Sequence, residues 1–263
     1  MLEWMLLILI GALSSTLGSL VGIGGGFIYV PFLMLYFNLP PQTVVGTSLL
    51  TVMFNSLSGT VGYLRQKRVD ISSGLMFALA SLPGSLIGAY MVENIAGDYF
   101  RISFGIFILT IALTILTKPE KPIDLGLPLT VVKSFNDSSG QLYTYAYNRS
   151  LALIFSFATG FFSSVFGIGG GIIMVPTMVL LLNFPTHVAT ATSMLMILLS
   201  ALTGSISHLA LNNILWDKAL LMAVGAIIGG QFGTRLAPKI KGPILMKILT
   251  LVLIFLAFKL IIK

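Results

Sequence analysis

The chain has 263 residues, 56% hydrophobic and 9% charged, with a mean hydropathy of +1.01; a soluble domain carries about 25% charged residues, so the composition excludes a soluble fold and reads as an integral membrane protein. The net charge of +7 does not point to nucleic acid, because the basic residues lie in short gaps between apolar runs, where they act as topology signals. With no cysteine and only two histidines, disulfides, thiolate catalysis and most zinc sites are excluded, and neither a metal nor a cofactor is expected.

Met1-Leu2-Glu3-Trp4 lacks a basic n-region and a cleavage site and reads as the start of a helix. The first apolar run, residues 4–21, is near the roughly 20 residues that cross a bilayer. After Gly22-Ile23-Gly24-Gly25-Gly26 comes a run too short to cross, 27–37, which Asn38-Leu39-Pro40-Pro41 ends because proline lacks the amide donor and disfavours helix before it. Runs 43–64, 72–92 and 99–117 can each span. The second half repeats the order: 150–166, then Gly167-Ile168-Gly169-Gly170-Gly171, the short 172–184, and the long 188–211, 218–236 and 243–262.

The halves are an internal duplication at an offset of 145 residues, from Gly22 to Gly167; over residues 22–48, 13 of 27 positions are identical at that offset. Pro31 and Pro176 follow the glycines at equal distance, and Asn38/Asn183, Thr47/Thr192 and Ser48/Ser193 coincide. The predicted fold is an all-α polytopic membrane protein with two inverted repeats of about five apolar segments, the second of each repeat short and Gly-broken. The units are 1–118, a linker 119–149 and 150–263. Within the linker, 129–135 and 141–147 are rich in β formers and flank Asn136-Asp137-Ser138-Ser139-Gly140, which predicts a β-hairpin outside the bilayer; a disordered linker is the competing reading.

Charge sets the topology. Arg65, Lys67 and Arg68 follow the third segment of the first half, whereas Arg235, Lys239, Lys241 and Lys247 follow the fourth segment of the second. If basic loops face the cytoplasm, the halves are inverted, the hairpin is cytoplasmic and both termini lie outside, in a multi-pass prokaryotic cell membrane. Four crossings per half would make the repeats parallel and put one basic cluster on the wrong side.

Inverted repeats with matching short, glycine-broken segments point to a secondary transporter's midplane site. Irregular chain at that depth must line a cavity or be buried in protein. Gly24, Gly25 and Gly26, and Gly169, Gly170 and Gly171, let a ligand approach the amides that open the short helices, where roughly half a positive charge suits an anion. Close packing through small residues is the alternative, and it is the preferred reading for Gly84, Gly88, Gly229 and Gly233. A nucleotide-binding loop fails, for no Lys-Ser/Thr follows and no strand precedes. Thr47, Thr51, Asn55 and Ser58 form one stripe on a helix, with Asn55 near mid-depth; Thr192, Ser200 and Thr203 keep it in the second half, and Met196 replaces one threonine. Such hydroxyls also bond to their own helix backbone. Asn38 and Asn183 read as loop caps, His208 as a solvated interfacial histidine and Arg235 as a cytoplasmic anchor, with Gln231 a further inward candidate. No ionisable residue reads as plainly buried, which leaves a small anion as the natural cargo.

The twin G-I-G-G-G-x-x-x-x-P elements, the T-S after each short segment and the membrane duplication resemble the sulfite exporter TauE/SafE family, the toluene-sulfonate uptake permeases, over most of the chain. The resemblance implies transport, in either direction, of small sulfur-containing anions such as sulfite, sulfoacetate, thiosulfate or organosulfonates. By that resemblance Gly22, Gly24, Gly25, Gly26 and Pro31, and Gly167, Gly169, Gly170, Gly171 and Pro176, are site positions, with Thr47, Ser48, Thr192 and Ser193 near them. The expected substrate-binding set adds Thr51, Asn55 and Ser200, while Pro31 and Pro176 are expected as structural residues of the helix break. The expected partners are the anion and the lipid bilayer, with no nucleic acid; a homo-oligomer stays open. Besides a permease, a passive anion channel and a membrane scaffold docking a partner through the hairpin remain as readings, and no constellation suggests an enzyme.

Overall fold

The structure, a computed structural model, describes residues 2–117, 123 and 125–262. The expected boundary at 118/119 lies outside the described residues. The chain forms α1 (Leu2–Val21), α2 (Gly26–Phe37), α3 (Pro41–Arg65), α4 (Ile71–Met91), α5 (Gly97–Leu116), β1 (Val131–Asn136), β2 (Leu142–Tyr147), α6 (Arg149–Phe166), α7 (Gly171–Leu180), α8 (Thr186–Ala210), α9 (Trp216–Leu236) and α10 (Gly242–Ile262). Seven of the described helices are long and apolar enough to cross a membrane; α2 and α7 are too short.

Local chemistry sets these bounds. Proline at its first position opens α3. Asp70 and Asn148 cap α4 and α6 by accepting the Ser73 and Leu151 amides. Asn38, at φ 50°, ends α2 in the left-handed conformation expected of a loop cap. One predicted end is corrected: the second short segment stops at Leu180 and does not reach residue 184. Both Leu181 and Leu182 donate to the Thr177 carbonyl, Asn183 turns to φ 57°, and Phe184 leaves the helix to pack at a tilt against Tyr145, ring centroids 4.3 Å apart.

Small residues fix how the helices pack. On α9, Gly225 lies against Ile8, Gly229 against Ala12 and Gly233 against Thr16, so α1 and α9 run parallel with their backbones nearly touching. Gly84 and Gly88 meet Phe157 and Phe161 in the same way, which makes α4 and α6 parallel. These five glycines therefore serve close packing. Each half thus lends its first segment to the fourth of the other. At the centre Gly46 meets His208 while Gly59 meets Met194, so the equivalent segments α3 and α8 run antiparallel, the relation an inverted pair requires. Gln66 donates to the Thr234 carbonyl, which brings the ends of α3 and α9, and with them both basic clusters, to one face.

That face carries the hairpin. β1 and β2 pair antiparallel from Val131↔Tyr147 to Asn136↔Leu142, with Gly140 at φ 83° in the turn. Tyr143, Tyr145 and Tyr147 are buried, and Phe77 and Phe184 pack on them. An isolated hairpin is marginal in water; this one borrows its core from α4 and the α7–α8 turn. Asp70 accepts from Ser73 (2.6 Å) and Tyr145 (2.7 Å), and Asp137 accepts from the Nε and a terminal nitrogen of Arg68, both at 3.1 Å. Sequence reading missed these two buried carboxylates, because both sit in polar-looking turns that tertiary packing covers. Burial alone would raise each carboxyl. For Asp70 the bonds from Ser73 and Tyr145 and the charge of Lys133 reverse this and hold it below the ordinary range. For Asp137 the bonds from Ser139, Gln141 and Arg68 bring it to about 2.

Since both native-state values lie below the unfolded ones, each contribution is complete above the ordinary carboxyl range and fades as pH falls through the native value, for Asp137 from 3.8 towards about 2. The hydrogen-exchange protection over 131–147, the slowing relative to an unstructured amide at the same pH, is expected to be high at neutral pH, to fall across that acid window, and to be low already at neutral pH in Asp137→Asn. Protection indifferent to both would show that the carboxylate does not hold the hairpin.

Candidate transport site

α1 and α6 end in the glycine stretches, which return through the middle of the molecule before α2 and α7 begin. Gly22 lies beside Thr190 and Ser193, near the start of α8 on the hairpin face. Gly26 lies beside Gly167, itself next to Val45 near the start of α3 on the opposite face. The two stretches are antiparallel neighbours: a Cβ on Gly26 would be 2.4 Å from the Gly167 carbonyl oxygen, and one on Gly171 2.3 Å from that of Gly22. Between them Gly24 and Gly169 both face Val52 and Ile197. Gly25 and Gly170, the N-caps of α2 and α7, sit at φ 83° and 80°, where glycine alone is unstrained. All ten residues of the stretches are buried.

At each helix start the amides are left over. The N–H groups of Gly25, Gly26 and Phe27, and of Gly170, Gly171 and Ile172, donate to no acceptor among the described residues. Three fully buried hydroxyls without a hydrogen-bond partner among the described residues belong to side chains of the adjoining helices: Ser14 on α1, and Thr159 and Ser163 on α6. The Ser14 carbonyl lies 3.1 Å from a Cβ position on Gly25, and the Thr159 methyl 2.6 Å from one on Gly170. Ser14 and Thr159 are repeat equivalents at the 145-residue offset. Extending the repeat alignment back from Gly22 pairs the two positions, though not the free state of their hydroxyls. Buried polar groups are almost always paired, so amides and hydroxyls without partners near both breaks make these the candidate site.

The T-S pairs are brought to the breaks, but their hydroxyls are engaged. Ser48 donates to the Gly167 carbonyl and Ser193 to the Gly22 carbonyl, each at 2.7 Å. Thr47 accepts the Leu215 amide at 3.1 Å and Thr192 the Asp70 amide at 3.0 Å. Each pair therefore ties its own half to the break and to the fourth segment of the other. Thr51 and Ser200 bond back to their own helix, at Thr47 and Ile197. Asn55 accepts from Ser19 at 2.7 Å, and its buried amide nitrogen has no partner among the described residues. Half-buried Gln231 points inward and donates to Ser58. Pro31 and Pro176 lie inside α2 and α7, which stay helical through them; the break is made by glycine, and each proline only omits one helical amide. His208 corrects the expectation of a solvated residue: it is fully buried, because Asn213 folds back over the last turn of α8, reaching its Nδ1 at 3.4 Å and bonding Glu93.

The family model for "Sulfite exporter TauE/SafE" matches residues 7–260. Among curated proteins, the chain is 40% identical to the probable membrane transporter protein YunE of Bacillus subtilis, over 99% of this chain and 98% of the relative. It is 31% identical to a probable membrane transporter protein of Methanocaldococcus jannaschii (89% and 86% covered) and 26% to YfcA of Escherichia coli K12 (88% and 79%). No solved structure matches the chain. With its multi-pass helical architecture and a match over nearly its whole length, the chain belongs to the sulfite exporter TauE/SafE family of membrane transporters.

Proposed function

We propose that this transporter is a secondary permease for a small sulfur oxyanion, sulfite or an organosulfonate, bound by the amides that open α2 and α7 and exposed to each side in turn as the two halves rock. The observation that carries it is the set of six partnerless amides flanked by partnerless Ser14, Thr159 and Ser163. A doubly or singly charged oxyanion offers several acceptors to several donors, and helix N-termini favour its charge. At present the carbonyl of the opposite glycine stretch lies nearest each helix start. An anion seated there takes that carbonyl's place, so binding and separation of the halves are coupled. Val52 and Ile197 pack against Gly24 and Gly169 where the stretches cross, and a passive channel would need a continuous pore past them. Both basic clusters on the hairpin face support a cytoplasmic hairpin.

The experiment is a titration of the purified protein with sulfite. Saturable binding is expected, weakened at least about tenfold in Thr159→Val with Ser163→Ala, the loss of one to two hydrogen bonds to a charged group. Binding unchanged in that variant would remove the cradle from the mechanism.

A further inference from the structure

Each short helix carries a groove on its outer side, and the two grooves are repeat equivalents. One, of about 360 Å³, lies between α1, α2 and α10 and is lined by Ile28, Pro31, Leu35, Leu256 and Lys259. The other, of about 280 Å³, lies against α5, α6 and α7 and is lined at the matching positions by Ile173, Pro176, Leu180, Ile111 and Thr114. They differ in what occupies them. Ile123 of the linker enters the second groove and donates its amide to the Leu180 carbonyl at 2.8 Å. The residues lining the first all come from its three helices, with nothing of the linker among them.

They differ also in charge. Thr114 is satisfied by its own helix, bonding to the Thr110 carbonyl. Lys259, in the last turn of α10, is exposed and has no acceptor or ion pair among the described residues. Beside it Tyr36, 58% exposed, stacks on Phe32 at 5.4 Å. Lysine and tyrosine at a helix end are the pair that settles at the headgroup level of a bilayer. From Ile28, just past the glycine break, to Tyr36 the groove follows α2 for roughly 12 Å at 1.5 Å per residue. It therefore runs from the apolar interior to a cation at the interface.

We infer that this groove is a binding site for an anionic phospholipid, an acyl chain lying along α2 where Ile123 lies along α7, and the phosphate on Lys259. One apolar trough ending in one unpaired cation matches one chain and one phosphate. A neutral phospholipid would fill the trough and leave the lysine unmatched.

The test is native mass spectrometry of the full chain released from detergent with added phosphatidylglycerol or phosphatidylcholine. The wild type is expected to retain phosphatidylglycerol in preference to phosphatidylcholine. Lys259→Gln should lose that preference, with phosphatidylglycerol retention about fivefold lower, the worth of one lysine near an anionic surface, and phosphatidylcholine retention unchanged. Ile28→Trp should lower retention of both lipids, and Ile173→Trp, in the groove that the linker enters, of neither. Equal retention of the two lipids by the wild type, or undiminished phosphatidylglycerol on Lys259→Gln, would overturn the proposal. So would a stable dimer that Ile28→Trp dissociates, since the groove would then hold a second copy of the chain.

Discussion

Gly171→Val is expected to abolish sulfite flux in proteoliposomes, and Gly26→Val to do the same. At Gly171 a Cβ would stand 2.3 Å from the Gly22 carbonyl oxygen, 2.6 Å from the Ile23 Cα and 2.7 Å from the Ile197 side chain. At Gly26 the equivalent atoms of Gly167 and Ile168 lie at 2.4 and 2.6 Å. Two of the three obstacles at Gly171 are backbone, so relief comes only by moving one glycine stretch off the other. Overpacking of this kind costs about 1–3 kcal/mol or more, and it displaces the amides that the anion is proposed to meet. Because Ser48 and Ser193 hold the same two carbonyls, the disturbance reaches α3 and α8 as well. Gly97→Val is the control, for nothing lies within 4 Å of its Cβ position, and it should transport normally. Flux is measured beside a thermal midpoint in detergent, which separates a blocked transporter from an unfolded one. Wild-type flux in folded Gly26→Val and Gly171→Val would take the crossing stretches out of the mechanism.

The largest loss of stability is expected at the helix contacts away from that crossing. In Gly160→Leu and Gly225→Leu the new Cβ would be 2.0 Å from the Ser81 and the Ile8 carbonyl oxygen. Without a hydrophobic drive between helices in lipid, association rests on close packing of small residues. Forcing these backbones apart loses contacts along the whole pair, since Gly84 and Gly88, and Gly229 and Gly233, lie on the same seams. Both variants should give little folded protein, whereas Gly97→Leu should behave as the wild type. A wild-type thermal midpoint for Gly225→Leu would mean that α1 and α9 are not in backbone contact.

Much of the architecture could be read from residue order because membrane helices announce themselves by length and hydropathy, and because a duplication supplies each reading twice. The hairpin was legible from its β formers and its Asn-Asp-Ser-Ser-Gly turn. Its role was not: nothing local in Arg68 and Asp137 says that they meet, 69 residues apart, or that Asp70 meets Tyr145, 75 residues away. The glycine stretches were legible as breaks, yet periodicity could not tell that the two halves' stretches lie against each other. The threonines and serines of the T-S pairs stood out by repetition, and they turn out to bind backbone groups of the opposite half. The free hydroxyls, Ser14, Thr159 and Ser163, were hidden in runs that read only as spans. Hydroxyls look alike in sequence whether they cap, back-bond or wait for a ligand. Only the hydrogen-bond partner separates those roles, and that partner is a long-range property.

The oxyanion is proposed to be held by main-chain nitrogens at the two crossing breaks. The most direct measurement is the sulfite titration followed by solid-state NMR at individual backbone amides. Saturable shifts should appear first at Gly25, Gly26 and Phe27 and at Gly170, Gly171 and Ile172, with the amide of Gly97 unmoved. Saturable sulfite binding that leaves those six amides unshifted, while other signals move, would contradict the account.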